Sequence, residues 1–261
     1  MEIKLNKLLT KNKSLILTYD HGLEHGPAEF NLRNIDTDYI LNIALKGRFS
    51  AVALQSGLAE KYFHNYRKKI PLIVKLNGKT NISQVEPVSR QICSVKRAVK
   101  LGADAVGYTI YLGSDFENVM FSEFGKIAEE AHDFRIPVIA WMYPRGKGIG
   151  NDRSTEILAY AARAGLELGA DFVKVAYNHD AEGFKWVVKS AGKAKVVAAG
   201  GPKKENKDTL QCTAEVMKAG AAGLAVGRSV WKHEEPLKMA AALKRIVFEN
   251  KSVNEAMKAL K

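Results

Sequence analysis

The chain has 261 residues, 46% hydrophobic, 26% charged and 8% aromatic, the balance of a globular protein rather than a disordered or fibrous one. No stretch approaches the roughly 20 apolar residues of a membrane helix, and the opening MEIKLNKLLTKNKSLIL lacks the apolar run of a signal peptide, so the cytoplasm is the expected compartment and no membrane partner is expected. The 40 Lys and Arg against 28 Asp and Glu give a net charge of +12, which favours anionic partners such as phosphate esters or nucleic acid without choosing between them.

Short apolar, β-branched runs recur along the chain at 15–19, 49–55, 71–77, 105–111, 137–143, 172–177, 195–199 and 223–226. Between them lie amphipathic segments of helical period, among them 94–101, 122–134, 155–168 and 208–219. Three of these helices close alike, with Leu-Gly-Ala-Asp at 101–104 and 168–171 and Ala-Gly-Ala-Ala at 219–222. Glycine at such a point supplies the left-handed cap that turns a helix into the next strand. Near-continuous apolar strands are buried on both faces, as parallel strands under crossover helices are. Eight strand–helix units, with no linker or composition break, predict α/β architecture: one (β/α)8 barrel domain over 1–261, with an open doubly wound sheet as the alternative.

In such a barrel the chemistry sits at the C-terminal strand ends. The sixth run, DFVKVAYN, carries Lys174, and alternation puts it on the same face as Phe172 and Ala176, toward the barrel interior. Desolvation lowers a lysine pKa and yields a neutral amine able to form a Schiff base, and a nearby Lys75 or Arg145 would push the same way. Lys75, in LIVKLNG, has an equal claim on pattern, and a lysine paired with a carboxylate is the alternative for either. Gly200, Gly201, Gly227 and Arg228 follow the seventh and eighth runs, the usual phosphate site of these barrels, and Lys203 offers a second charge. Trp141, Tyr143 and Arg145 share one face at the fifth strand end, where a cation beside the phenol is expected to lower its pKa. Asp20, after the first run, is placed to orient substrate hydroxyls or relay a proton. The segment from His21 to His25 matches the H-x-x-E-H zinc pattern, but Gly22, Gly26 and Pro27 predict a loop there rather than the helix that pattern needs, so no metal is expected. Cys93 and Cys212 stand far apart, with neither disulfide nor zinc spacing.

Taken together, YDHGLEHGPAEF, LAEKY, VKLNGKT, AVGYTIYLGS, WMYPRG, FVKVAYN, AGGPKK and AVGRSVW resemble the archaeal-type class I fructose-bisphosphate aldolases of the DhnA-type family, in order along nearly the whole chain. The resemblance implies a (β/α)8 barrel in large homo-oligomers, typically decamers. It also implies reversible cleavage of fructose 1,6-bisphosphate to dihydroxyacetone phosphate and glyceraldehyde 3-phosphate with no metal or other cofactor. By the same resemblance Lys174 is the Schiff-base lysine, Tyr143 the acid/base tyrosine, and Asp20 an orienting carboxylate. His21, His25, Lys61, Trp141 and Arg145 then line the substrate site, and Ala199, Gly200, Gly201, Gly227 and Arg228 the phosphate loops. The pattern departs at Ala199, where a serine is expected, and at Ala176, where a second lysine is, which weakens the preference for a bisphosphate. The alternatives are a 2-amino-3,7-dideoxy-D-threo-hept-6-ulosonate synthase-like transaldolase and, more remotely, a barrel that binds nucleic acid without catalysis. No basic stripe interleaved with aromatic residues supports the latter, so no nucleic-acid partner is expected.

Overall fold

Strands that are apolar on both faces need cover on both, and a sheet closed on itself gives it. The computed structural model describes residues 3–201 and 205–261. Eight parallel strands form a closed barrel: β1 (Ser14–Tyr19), β2 (Ala51–Gln55), β3 (Leu72–Lys75), β4 (Ala105–Leu112), β5 (Val138–Pro144), β6 (Phe172–Ala176), β7 (Lys195–Ala199) and β8 (Gly223–Val226). Each pairs with its successor, and β8 returns to β1 with Ser14 opposite Gly223 and Leu17 opposite Val226. The open-sheet alternative is thereby set aside.

A helix follows each strand: α1 (Thr37–Lys46), α2 (Ser56–Tyr62), α3 (Val95–Leu101), α4 (Glu117–Asp133), α5 (Thr155–Glu167), α6 (Ala181–Ser190), α7 (Asn206–Lys218) and α8 (Pro236–Glu249). Their starts are written locally. The side chains of Ser94, Ser154 and Asp180 accept from the backbone N–H of Arg97, Ile157 and Gly183, satisfying donors that the first helical turn leaves open. Gly102, Gly169 and Gly220 all have φ between 92° and 95°, the left-handed turn their repeated sequence context predicts. Helix α4 begins at Glu117 rather than at 122. Its buried stripe already includes Met120, one turn before Phe124, and Ser122 falls on the exposed face, where it caps nothing.

Alternation divides the strands between two cores. Leu15, Leu17, Val52, Leu54, Leu72 and Val74 face outward to the helices. Ile16, Ala53, Ile73, Ile139, Trp141 and Phe172 fill the interior, and Leu8 of the turn Leu5–Leu8 packs into the same cluster. The Trp141 indole occupies the space that a side chain on Gly107 of β4 would need: a β-carbon built there overlaps the ring. Small residues on one strand thus make room for a large one on the next, which seals the barrel beneath the strand ends. Gly107→Ala is expected to lower the unfolding free energy by about 1–3 kcal/mol through overpacking against Trp141, measured by denaturant unfolding.

Candidate active site

Three charged side chains lie deep at the C-terminal end of the barrel. Lys75 ends β3, Lys174 lies at the centre of β6, and Asp20 directly follows β1; each is 5% exposed. Lys75 Nζ lies 3.4 Å from Asp20 Oδ2, and His21 Nδ1 3.6 Å from Asp20 Oδ1. The strand end carrying Lys75 is tied down two residues later. The buried Asn77 amide donates to the carbonyls of Ser89 (2.9 Å) and Thr109 (2.8 Å) and accepts from Thr109 N–H (2.8 Å).

These groups line a cavity of about 150 Å³. Tyr143 and Arg145 bound it from the end of β5, and His25 from the loop after β1. Ala199, Gly200, Gly201, Gly227 and Arg228 bound it from the loops after β7 and β8. Gly227 passes so close to β1 that a β-carbon would sit 2.8 Å from the Thr18 carbonyl oxygen. Lys203 lies outside the described residues.

Two of the expected residues are elsewhere. Lys61 sits in the last turn of α2, exposed and away from the cavity. Trp141 is 2% exposed and belongs to the interior core, where Lys174 Nζ lies 5.4 Å from its ring centroid; it underlies the lysine instead of lining the cavity. Its Nε1 has no hydrogen-bond partner among the described residues.

The segment after β1 also differs from the expected loop: Gly22–His25 forms one helical turn, with His25 N–H donating to His21 O (2.8 Å). Its side chains are engaged individually. Glu24 accepts from Tyr111 (3.2 Å) and Arg145 (3.4 Å), and the Asn81 amide donates to His25 Nδ1 (3.3 Å). Among the described residues no group of three His, Cys, Asp or Glu side chains is arranged to hold a metal ion.

Burial and charge set the protonation states. Burial pushes the Lys174 ammonium below its ordinary range and Arg228 adds to the push, against Asp20 and Glu24. The cation that acts on Lys174 is therefore Arg228, not Lys75 or Arg145. Burial raises the Asp20 carboxyl, but Lys75, Lys174 and His21, together with a backbone hydrogen bond, outweigh it and hold the group well below the usual carboxylate range. Tyr143 runs opposite to expectation. Burial, reinforced by Asp20 and Glu24, pushes the phenol up to about 12 despite Lys75 and Arg145, so the free protein holds it neutral.

Sequence reasoning missed three carboxylate or guanidinium groups here and set aside a lysine it had noticed. Glu24 and Glu29 engage the two arginines, with Arg228 Nη1 donating to Glu29 Oε1 at 2.9 Å across 199 positions. Arg153 lines the cavity and donates to the Tyr177 carbonyl oxygen (3.3 Å). No local pattern marks these pairings. Lys75 was visible by alternation and stands in the site beside Lys174.

A desolvated lysine at the top of a (β/α)8 barrel, with an ionised carboxylate and a neutral phenol around it and glycine loops opposite, defines an enzyme of the imine-forming class. The comparisons narrow this: the family model described as DeoC/LacD family aldolase matches residues 14–233, and the chain belongs to that family. The class 1 fructose-bisphosphate aldolase of Thermoproteus tenax is 50% identical over 250 residues, covering 95% of this chain and 94% of its own. That of Halobacterium salinarum is 43% identical over 247 residues, covering 94% of each. A solved archaeal fructose-1,6-bisphosphate aldolase, with its catalytic lysine covalently bound to the carbinolamine intermediate of the substrate, matches with TM-score 0.89 and 48% identity over 94% of this chain and 98% of that one.

The buried imidazole makes stability depend on pH. Burial, helped by Lys174, Arg228 and Lys75 and opposed by Asp20, pushes His21 down to about 4. Between the ordinary value near 6.5 and that lowered one, the unfolded chain binds a proton that the folded chain does not, so stability falls as pH falls. The wild-type protein is expected to lose on the order of 2 kcal/mol more than His21→Gln between pH 7 and pH 4.5, measured by urea unfolding.

Proposed function

We propose that the chain is a class I fructose-bisphosphate aldolase that cleaves fructose 1,6-bisphosphate reversibly through a Schiff base on Lys174. The observation that carries this is the buried lysine that faces the cavity from β6, 6.0 Å from the Tyr143 ring centroid, its ammonium pushed below its ordinary range by burial. Neutral Lys174 attacks the ketone carbon: the C–N bond forms, the carbonyl π bond breaks, and a proton passes from nitrogen to oxygen to give a carbinolamine. Loss of water, its second proton supplied by the Tyr143 phenol, leaves an iminium whose positive charge accepts the electrons of the breaking C3–C4 bond. The C4 hydroxyl proton goes to Tyr143, and the resulting enamine is protonated at C3 by the same group on the way to hydrolysis. Asp20 is too acidic to donate, so as a carboxylate it orients the reacting hydroxyls by accepting from them.

The phosphorylated sugar is held at both ends by the excess of positive charge at the rim. Arg228, with the loops at Gly200, Gly201 and Gly227, is the site for one phosphate, and Arg145, with His25, for the other. Glu29 and Glu24 engage those two arginines in the free protein. We assign the whole chain, 1–261, to one catalytic unit that works in the cytoplasm as a homo-oligomer, a decamer by resemblance to its family. No helix among the described residues is long and apolar enough to cross a membrane.

Borohydride trapping with dihydroxyacetone phosphate in EDTA, followed by peptide mass spectrometry, tests the reading. The expected result is a substrate adduct on Lys174, with Lys174→Met folded, adduct-free and at least about 10⁴-fold slower on fructose 1,6-bisphosphate. Turnover retained by Lys174→Met would overturn it.

A further inference from the structure

One carboxylate and two lysines share the buried floor of the cavity, and the reaction uses only one of the lysines. Asp20 is faced by Lys75 from β3, by Lys174 from β6, by Tyr143 from β5, and by His21 and Glu24 from its own loop. Arg145, Arg228, His25, Asp152 and Arg153 complete the charged and titratable groups of the cavity wall. With Asp20 present and Lys75 absent, Lys174 would be the only buried ammonium able to balance that carboxylate, and it would hold its proton. A protonated amine has no lone pair for the ketone.

We propose that Lys75 is a positioning residue for the Schiff-base reaction: by pairing with Asp20 it frees Lys174 to stand as the neutral nucleophile, and it keeps Asp20 ionised when Lys174 carries no charge. The inference rests on the Schiff-base reading above and deepens it. The nitrogen of Lys174 is uncharged in the free amine, the carbinolamine and the enamine, and positive in the iminium that precedes cleavage and the one that precedes hydrolysis. Asp20 therefore sees an intermittent charge on one side and needs a constant one on the other. Lys75 supplies it from a strand end fixed by the Asn77 hydrogen bonds to Ser89 and Thr109. Its Nζ, 3.4 Å from the carboxylate, lies within the range at which an opposite charge governs a carboxyl's ionisation.

The test is the pH dependence of kcat/KM and of the borohydride trapping rate in Lys75→Met, Lys75→Arg and the wild type. Lys75→Met is expected to move the acid limb of both profiles upward by about 1–3 pH units, since Lys174 then retains its proton opposite Asp20. Lys75→Arg is expected to bring the limb back toward the wild-type position. A Lys75→Met enzyme that is slower but keeps the wild-type acid limb would show that Lys75 only packs the barrel, and would overturn the proposal. Because an unpartnered buried carboxylate can prevent folding, Asp20→Asn and the double variant Asp20→Asn/Lys75→Met carry the same question. Their acid limbs are expected to coincide, and a limb that Lys75→Met displaces in the Asp20→Asn background overturns the pairing account. A wild-type enzyme that gives no Lys174 adduct fails the Schiff-base reading itself, and this proposal with it. An adduct on Lys174 with an unmoved limb fails only the role of Lys75.

Discussion

The ion pair between Lys75 and Asp20 is the contact on which the proposed chemistry of this barrel turns. Neither partner is tolerable alone at that depth, because an uncompensated buried charge costs several kcal/mol, whereas the pair with a neutral Lys174 beside it satisfies the site. Burial first, and the neighbouring charges after it, set the states of the neighbours. The His21 imidazole, out of water and next to cations, is pushed down to about 4, and the Tyr143 phenol, buried and facing two carboxylates, up to about 12. In the proposed mechanism the nucleophilic amine is kept neutral without any unusual bond, by giving its natural counter-ion another partner.

The fold meets the demands of that arrangement in layers. Beneath the charges lies an apolar cluster, with Trp141 under Lys174 and Phe172 and Ile139 on the same inward faces. This cluster keeps water from reaching the lysine from the lower side and holds the local dielectric low, which strengthens each of the electrostatic effects above. The alternation of β6 reads Phe172, Lys174, Ala176 upward, so a single strand supplies part of the cluster, the nucleophile and open space for substrate in successive inward positions. Trp141 contributes by position rather than by touching the cavity, and the space it needs is the missing side chain of Gly107.

What could be read from the chain divides along the range of the interactions. Strand positions, the glycine turns at Gly102, Gly169 and Gly220 and the inward direction of Lys174 depend on residues within a few places of one another, and the chain states them directly. The Tyr143 ionisation does not. The local view saw Arg145 two residues away and inferred a lowered pKa, whereas burial and the carboxylates of Asp20 and Glu24, both from the far end of the sequence, decide the opposite. Lys61 failed for a related reason: its motif is intact, but α2 carries it on the exposed surface of the barrel. The helical turn at Gly22–His25 was hidden by its flanking glycines, which favour a loop on propensity alone. In the segment after β1, Glu24 and Glu29 are held by partners from β4 and from the loops after β5 and β8 that no local pattern announces.

A phenol near 12 is a poor base in the free enzyme, and the site's own chemistry resolves the difficulty. Proton removal from the C4 hydroxyl is needed only once the iminium exists, and the iminium places a positive charge on the nitrogen that sits 6.0 Å from the Tyr143 ring centroid. An opposite charge at that range favours the tyrosinate and draws the phenol downward, so its basicity is released after the covalent step and not before. In the proposed mechanism Asp20, held ionised throughout by Lys75, keeps the hydroxyls aligned across that change instead of trading protons with them. The division of labour follows from where the charges are fixed and where they move: Lys75 and Asp20 form the constant pair, while Lys174 and Tyr143 form the pair whose protonation changes during turnover.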